Sequence, residues 1–332
     1  MDEDPRGSAL AESGLQGADQ SVASFEEEAV TLIKRLQHFL HEFPTAVPFI
    51  VLVIGVLIFS FTAGGKFFAP FNLSLVLQQV TIIGILGIAQ TLVILTAGID
   101  LSVGAIMVLS SIVMGRLAVV WGWPPEIAFT LGFVTGIVCG FINGVLVAIL
   151  KLPPFIVTLG TWSIFGSMVI YVSHSETIRA QDIDQMAPIL HWTGNRIIFG
   201  HGALITYGSI LMILIAVAVW YILNRTAFGR HVYATGDDPE AARLTGINTA
   251  ATLVGVYTLA GFICVTAVVI GGTSLFGGRG SLVGTLFGAL IVGVFRNGLA
   301  LSGVEVLWQE FAVGILIIIA VTIDQWIRKI SV

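Results

Sequence analysis

Charged side chains are scarce in this chain. Asp, Glu, Lys and Arg supply 11% of its 332 residues, about half the share usual in soluble domains. So thin a charge cannot coat a surface of this size in water, which excludes a soluble globular protein. Cysteine is scarcer still. Cys139 and Cys264 both fall in apolar runs, with no metal spacing and no disulfide framework. No GxxxxGKS or GxxxxGKT loop occurs. The nearest stretch, IGGTSLFGGRGS at 270–281, lacks the lysine and the following hydroxyl residue, so it is not expected to cradle phosphates. There is no HExxH and no Ser/His/Asp arrangement. The six histidines are scattered, with His174, His191 and His201 in or beside one polar stretch. An enzyme has no support here, and no cofactor or metal is expected in the chain itself. Residues 1–23 lack a basic start followed by an apolar core, so they do not read as a secretory signal.

What is present is apolar length. The chain is 56% hydrophobic, and runs near the length needed to cross a hydrocarbon core about 30 Å thick recur along it. They fall at 47–65, 74–97, 102–120, 127–150, 154–173, 204–223, 252–271, 282–302 and 307–325. The fold expected is an all-α polytopic membrane protein with nine apolar runs; a barrel would show short alternating segments instead. The 38 glycines fit close helix contacts in a membrane. Residues 1–23 are small, polar and acidic and are expected to be disordered. Residues 24–46 read as an amphipathic interfacial helix. Ser24 and Glu27 form a capping box, and Phe25, Ala29, Ile33, Leu36, Leu40 and Phe43 share a face. The rest, 47–332, is one transmembrane domain.

Loop charge orients the chain. With Lys34 and Arg35 inside, so that the N-terminus is cytoplasmic, Lys151, Arg225, Arg230 and Arg243 also fall inside. The polar stretch 174–203 faces outside. The second half then conflicts with the rule. Nine alternating crossings would leave Arg279, Arg328 and Lys329 outside, whereas the rule prefers them inside. An even number of crossings is needed between Asn248 and Arg279, and the sequence offers one run there. A re-entrant pair of half-helices, an inverted region or a missing segment would each restore the balance.

One charged interruption stands out, NRTAFGRHVYATGDDPEAARLTGIN at 224–248. Pro239 can start a short helix with Asp238 as N-cap and Glu240 in the first turn, and Gly246 can end it. A short capped helix between spans suits docking into a partner's cleft, although a merely solvated loop would carry the same charges. Asp100, in TAGIDLSVG at 96–104, is the carboxylate nearest to being intramembrane in the first half. It serves either as a helix cap after Gly98, a role Ser102 could share, or as part of a solute path. Gln78, Gln90, Asn143 and Asn297 could line such a path for a hydroxylated solute or bond helices together. A weak internal echo links Gly132, Gly136, Gly140, Asn143 and Gly144 with Gly284, Gly288, Gly293, Asn297 and Gly298. It reads as repeated halves or as ordinary glycine-mediated packing.

The stretches QTLVILTAGIDLSVGAIMVLSS (90–111), GFINGVLVAILKLPPFIVTLGT (140–161), the 224–248 segment, VIGGTSLFGGRGSLVGTLFGALIVGV (269–294) and AVTIDQWIRK (320–329) resemble permease subunits of bacterial ABC importers for monosaccharides, the ribose, xylose and fructose group. SETIRAQDID at 175–184 and the DQWIRK ending look most like the fructose member. The resemblance implies a multi-pass protein of the bacterial inner membrane, paired with a second permease copy. Cytoplasmic ATPase subunits would hydrolyse the ATP and dock against Asp237, Asp238, Pro239, Glu240, Ala241, Ala242, Arg243 and Gly246 in a loop spanning 224–249. A periplasmic sugar-binding protein would deliver the solute, and no nucleic acid is involved.

The chain departs from that family in one place. LAGFICVTAVVIGG at 259–272 joins two ends that relatives separate by a longer segment, so roughly thirty residues near Cys264 are expected to be missing. The family is expected to have about ten spans, against nine runs here. Two alternatives to a working ABC permease follow: an internally deleted, transport-inactive relative, and an ion-coupled secondary carrier. The latter predicts ionisable groups at mid-membrane, which the first half, read this way, almost lacks beyond Asp100.

Overall fold

The computed structural model describes residues 46–268 and 282–328, and the fold below is that of the compact unit Pro44–Asp324. The N-terminal arm, the amphipathic stretch through residue 45, the glycine-rich stretch 270–281, Arg279 and Lys329 lie outside the described residues.

The helices, in order, are α1 (Ala46–Thr62), α2 (Pro70–Leu95), α3 (Val103–Gly115), α4 (Pro125–Ala148), α5 (Pro154–Ser173), α6 (Ala180–Met186), α7 (Tyr207–Arg225), α8 (Ala227–Asp237), α9 (Pro239–Leu244), α10 (Thr249–Val268), α11 (Leu282–Leu301) and α12 (Val306–Arg328). A π-helical turn, Arg116–Val120, extends α3. Among the described residues seven helices are long and apolar enough to cross a membrane, and α1 and Val306–Ala320 of α12 are shorter apolar helices. Prolines open α2, α4, α5 and α9, where the missing N–H costs nothing. The run expected at 204–223 begins differently. Leu204–Thr206 is a strand, β2, paired antiparallel with β1 (Arg196–Ile198), and Thr206 then caps α7 by accepting from the Ser209 N–H.

Glycine decides how the centre packs. A Cβ on Gly140 would lie 2.3 Å from the Tyr257 carbonyl oxygen, and one on Gly261 would lie 2.3 Å from that of Gly136. Only hydrogen fits there, so α4 and α10 meet backbone to backbone. In the other half of the echo, Gly293 and Gly298 face Val80 and Phe59, whereas Gly288 meets nothing within 4 Å. The two glycine ridges therefore serve different neighbours.

These contacts fix helix directions. Asn143 of α4 meets Ser102 at the start of α3, and Gly132 meets Met114 near its end, so α4 runs against α3. Gly144, Gly140 and Gly136 face Val254, Tyr257 and Val265 in turn, so α10 runs against α4. On α2, Thr91 bonds Thr285 and Asn72 bonds Asn297, so α11 runs against α2. Leu95 at the end of α2 lies against Gly236, in the segment that leads into α10, and Gly98 lies against Tyr257 of α10, so α2 also runs against α10, and α10 and α11 run together. Consecutive long helices thus both leave from the 224–248 side. Alternate crossing, the simple reading of nine runs, does not hold here.

Candidate functional site: the charged segment and the break beneath it

The segment 224–248 folds into two helices. Thr226 caps α8 by accepting from the Gly229 N–H at 3.2 Å. Asp238 caps α9, accepting from Glu240 and Ala241 N–H at 2.9 and 3.0 Å. Gly246 follows α9 with φ +90°, a conformation that suits glycine. Glu240 and Arg243 pair at 2.7 Å on the surface. Asp237, Asp238, Pro239, Glu240, Ala241, Arg243 and Gly246 are all exposed, and only Ala242 turns inward. One further residue belongs with them: Leu244 is 81% exposed. An apolar knob on a charged helix is the signal that could have revealed it.

This segment rests directly on the membrane helices. A Cβ on Gly236 of α8 would lie 1.8 Å from the Leu95 carbonyl oxygen at the end of α2. Immediately beyond lies the break that holds Asp100, which is 2% exposed. Its Oδ1 accepts from the Ser102 N–H at 2.8 Å and the Ser102 hydroxyl at 2.7 Å. Asn143 Nδ2 donates to that hydroxyl at 2.7 Å. The Gln90 amide faces the Asp100 backbone, and the amide orientation that satisfies both groups donates to the Asp100 carbonyl at 3.1 Å and accepts from its N–H at 3.2 Å. Ser102 occupies the N-cap position of α3 but makes no side-chain cap bond to the helix. Asp100 instead closes a local turn two residues long, and Asn143 ties it to α4. Asn143 Oδ1 and Tyr257 Oη are buried there without a partner.

The five candidate path residues do not form one group. Gln90, Asp100 and Asn143 come together. Asn297 is on the other side of the fold with Asn72, the two amides exchanging bonds of 2.9 Å. Gln78 is half-buried on α2, more than three turns before Gln90. Asn72 was not among the expected residues, because nothing near it in sequence marks its partner. Arg116 was also missed. It is 6% exposed and lies within the apolar run 102–120, where a lone cation is itself the signal. Its Nη1 donates to Glu176 at 2.6 Å. Buried ionisable groups in the first half are thus more numerous than Asp100 alone. Among the described residues no group of acidic, His and Cys side chains could hold a metal ion.

Long apolar helices around buried, hydrogen-bonded polar groups, with one exposed capped helix pair on a single side, define a polytopic helical membrane protein. The family described as "Branched-chain amino acid transport system / permease component" matches residues 72–264. The chain is 53% identical to the fructose import permease protein of Rhizobium meliloti, covering 96% of each, over 346 aligned positions. It is 37% identical to the ribose import permease protein of Bacillus subtilis, covering 84% of this chain and 92% of that one. It is also 29% identical to the xylose transport system permease protein of Escherichia coli, covering 84% and 91%. No solved structure matches the chain. The chain belongs to this permease family, among the ABC-importer subunits that transport rather than catalyse.

Proposed function

We propose that the chain is the membrane-spanning subunit of an ATP-driven importer that moves fructose, or a closely similar monosaccharide, across a bacterial inner membrane. The observation that carries this is the match to the fructose import permease along nearly the full length of both chains. In this reading two copies form the path, and a periplasmic sugar-binding protein delivers solute to the 174–206 side. An ATPase subunit docks on α8 and α9. Capping holds α9 as a rigid unit, and the Gly236 contact with Leu95 gives a push on α8 a direct route to the Asp100 break. The permease contributes binding and movement, and ATP chemistry belongs to the partner. The charge of Arg225, Arg230 and Arg243 supports a cytoplasmic location for this side, with the N-terminus on the same side.

A second reading has its own support: the chain lacks a crossing that its relatives retain, and is inactive. The 346 aligned positions exceed the 332 residues of the chain, so the fructose relative carries residues that this chain lacks. Parallel α10 and α11 demand a return across the bilayer. The stretch 269–281 would span only about 20 Å as a helix, short of the roughly 30 Å core. An extended return would leave backbone groups unpaired in lipid.

Radiolabelled fructose uptake separates the readings. The chain is expressed with an ATPase and binding protein in cells lacking their own permease, beside a version with a relative's segment restored after Cys264. Uptake by the unmodified chain that stops when the ATPase is removed supports the first reading. Uptake by the restored version alone supports the second. Absence of both at normal membrane levels removes fructose as the solute.

A further inference from the structure

At the opposite end of the fold from the charged segment, three unusual features meet. Arg116 begins the π-helical turn that ends α3. Such turns shift side chains out of helical register and recur at functional positions. His174 and Ser175, which follow α5, have φ of +55° and +59°, a conformation L side chains rarely adopt. Between these two backbone irregularities sits the ion pair, with Arg116 Nη1 2.6 Å from Glu176 Oε2. The Glu176 side chain is 68% exposed and that of Arg116 only 7%. The guanidinium is poorly served otherwise. Its Nη2 is 3.4 Å from His174 Nδ1, and its Nε is buried with no partner. One residue before Arg116, Gly115 leaves the space that Ile178 Cδ1 fills. Glu176 and Ile178 therefore hold the start of the 174–206 segment to the end of α3.

We propose that the Arg116–Glu176 pair is a releasable latch that fixes the 174–206 segment over the outer end of the helices, and that Arg116 and Glu176 are positioning residues for solute uptake. This rests on the importer reading above. The pair has the properties a latch needs. One partner is anchored in the membrane helices and the other is on a solvent-facing segment. The bond is charge-assisted and short. Arg116 keeps a buried Nε–H donor without a partner, so it retains unused hydrogen-bonding capacity when Glu176 leaves. The strained backbone at 174–175 favours departure, so the closed position depends on the ion pair.

The pair's asymmetry makes it testable. Removing Glu176 strands a buried cation, whereas removing Arg116 leaves a carboxylate that water can reach. Hydrogen exchange of the purified full-length protein in lipid nanodiscs reads the latch without transport. In E176Q and in R116Q, peptides covering 174–187 should exchange about fivefold faster or more. The R116Q/E176Q double variant should match R116Q, and D182N, which alters a neighbouring half-buried carboxylate, should match wild type. Uptake adds the functional readout. E176Q should lower it about tenfold, and R116Q and the double variant should fall to a similar level with no further multiplied loss, because all three lack the same latch. Unchanged exchange in E176Q, or losses that multiply in the double variant, would overturn the latch. If E176Q does not accumulate in the membrane, normal accumulation of the double variant supports the proposal, and its failure too overturns it. Wild-type protein that shows the exchange pattern but no uptake of any monosaccharide would count against the importer reading while leaving the latch standing.

Discussion

Asn72 and Asn297, 225 positions apart, hold each other's amides in a closed reciprocal pair, Nδ2 to Oδ1 at 2.9 Å in both directions. The pair joins the start of α2 to the end of α11 inside the protein, where both residues are 5% exposed. With the Thr91–Thr285 hydroxyl pair at 2.6 Å, it fastens the first helices to the part of the chain after residue 281. Asn72 also donates to the Phe67 carbonyl at 2.9 Å, so the two residues are not equivalent. N297A should lower thermal stability in detergent by about 1 kcal/mol, with a coupling to N72A of about 0.5 kcal/mol or more. A double-mutant cycle on unfolding midpoints checks this. Strictly additive losses would mean that the amides merely sit side by side.

The glycines make a sharper contrast. G140V and G261V each drive a side chain into the facing backbone, so the α4–α10 contact cannot form and both should fail to extract as monodisperse protein. Gly160 of α5 meets nothing within 4 Å. G160A should be neutral, or stabilising by about 0.5 kcal/mol, because alanine loses less backbone freedom in a helix. Fluorescence-detected size exclusion of tagged variants distinguishes them. Equal profiles for G140V and G160A would show that the close crossing is not what holds these helices.

The exposed helix α9 separates stability from coupling. L244D removes a side chain that touches little of the protein, so melting should not change, while co-purification with the ATPase and uptake should fall about tenfold. D238A removes the cap that satisfies two N–H groups and should cost about 1 kcal/mol locally. D238N keeps an acceptor and should retain most of the function. Full uptake in L244D with an intact ATPase would remove α9 from the docking surface.

What could be read from the sequence divides along physical lines. The positions of apolar helices were legible because hydrocarbon thickness imposes a length on every run: among the described residues the runs fall on helices, apart from the strand at Leu204–Thr206, and seven of those helices are long enough to cross a membrane. The ends of α9 were legible because capping is local: Asp238, Pro239 and Gly246 state it within a few residues. Long-range pairings were not. Asn143 and Asn297 look alike in sequence, yet one serves the Asp100 break and the other serves Asn72. Arg116 sits inside an apolar run and finds Glu176 sixty positions later. Its π-helical turn leaves no compositional mark. The conflict in loop charge, by contrast, was a usable global signal. It required an even number of crossings between Asn248 and Arg279, and parallel α10 and α11 bring the start of α11 back to the 224–248 side. The path between them is outside the described residues.

That arrangement yields the most decisive topological test. Cys139 and Cys264 are both buried, so single cysteines can be added with little background labelling. Thr245 and Leu244 mark the side of the charged segment. Val283, at the first turn of α11 and 50% exposed, should be reached from that same side. Val304, in the turn after α11, should be reached from the opposite one. The expected pattern in intact cells is that T245C and V283C resist a membrane-impermeant maleimide and react only after lysis, whereas V304C reacts at once. A chain whose helices simply alternate would reverse the last two, with V283C labelled in intact cells and V304C protected. The reversal would mean that α11 enters from the other side, that no return crossing is missing, and that the contacts joining Thr91 to Thr285 and Asn72 to Asn297 do not form in the membrane.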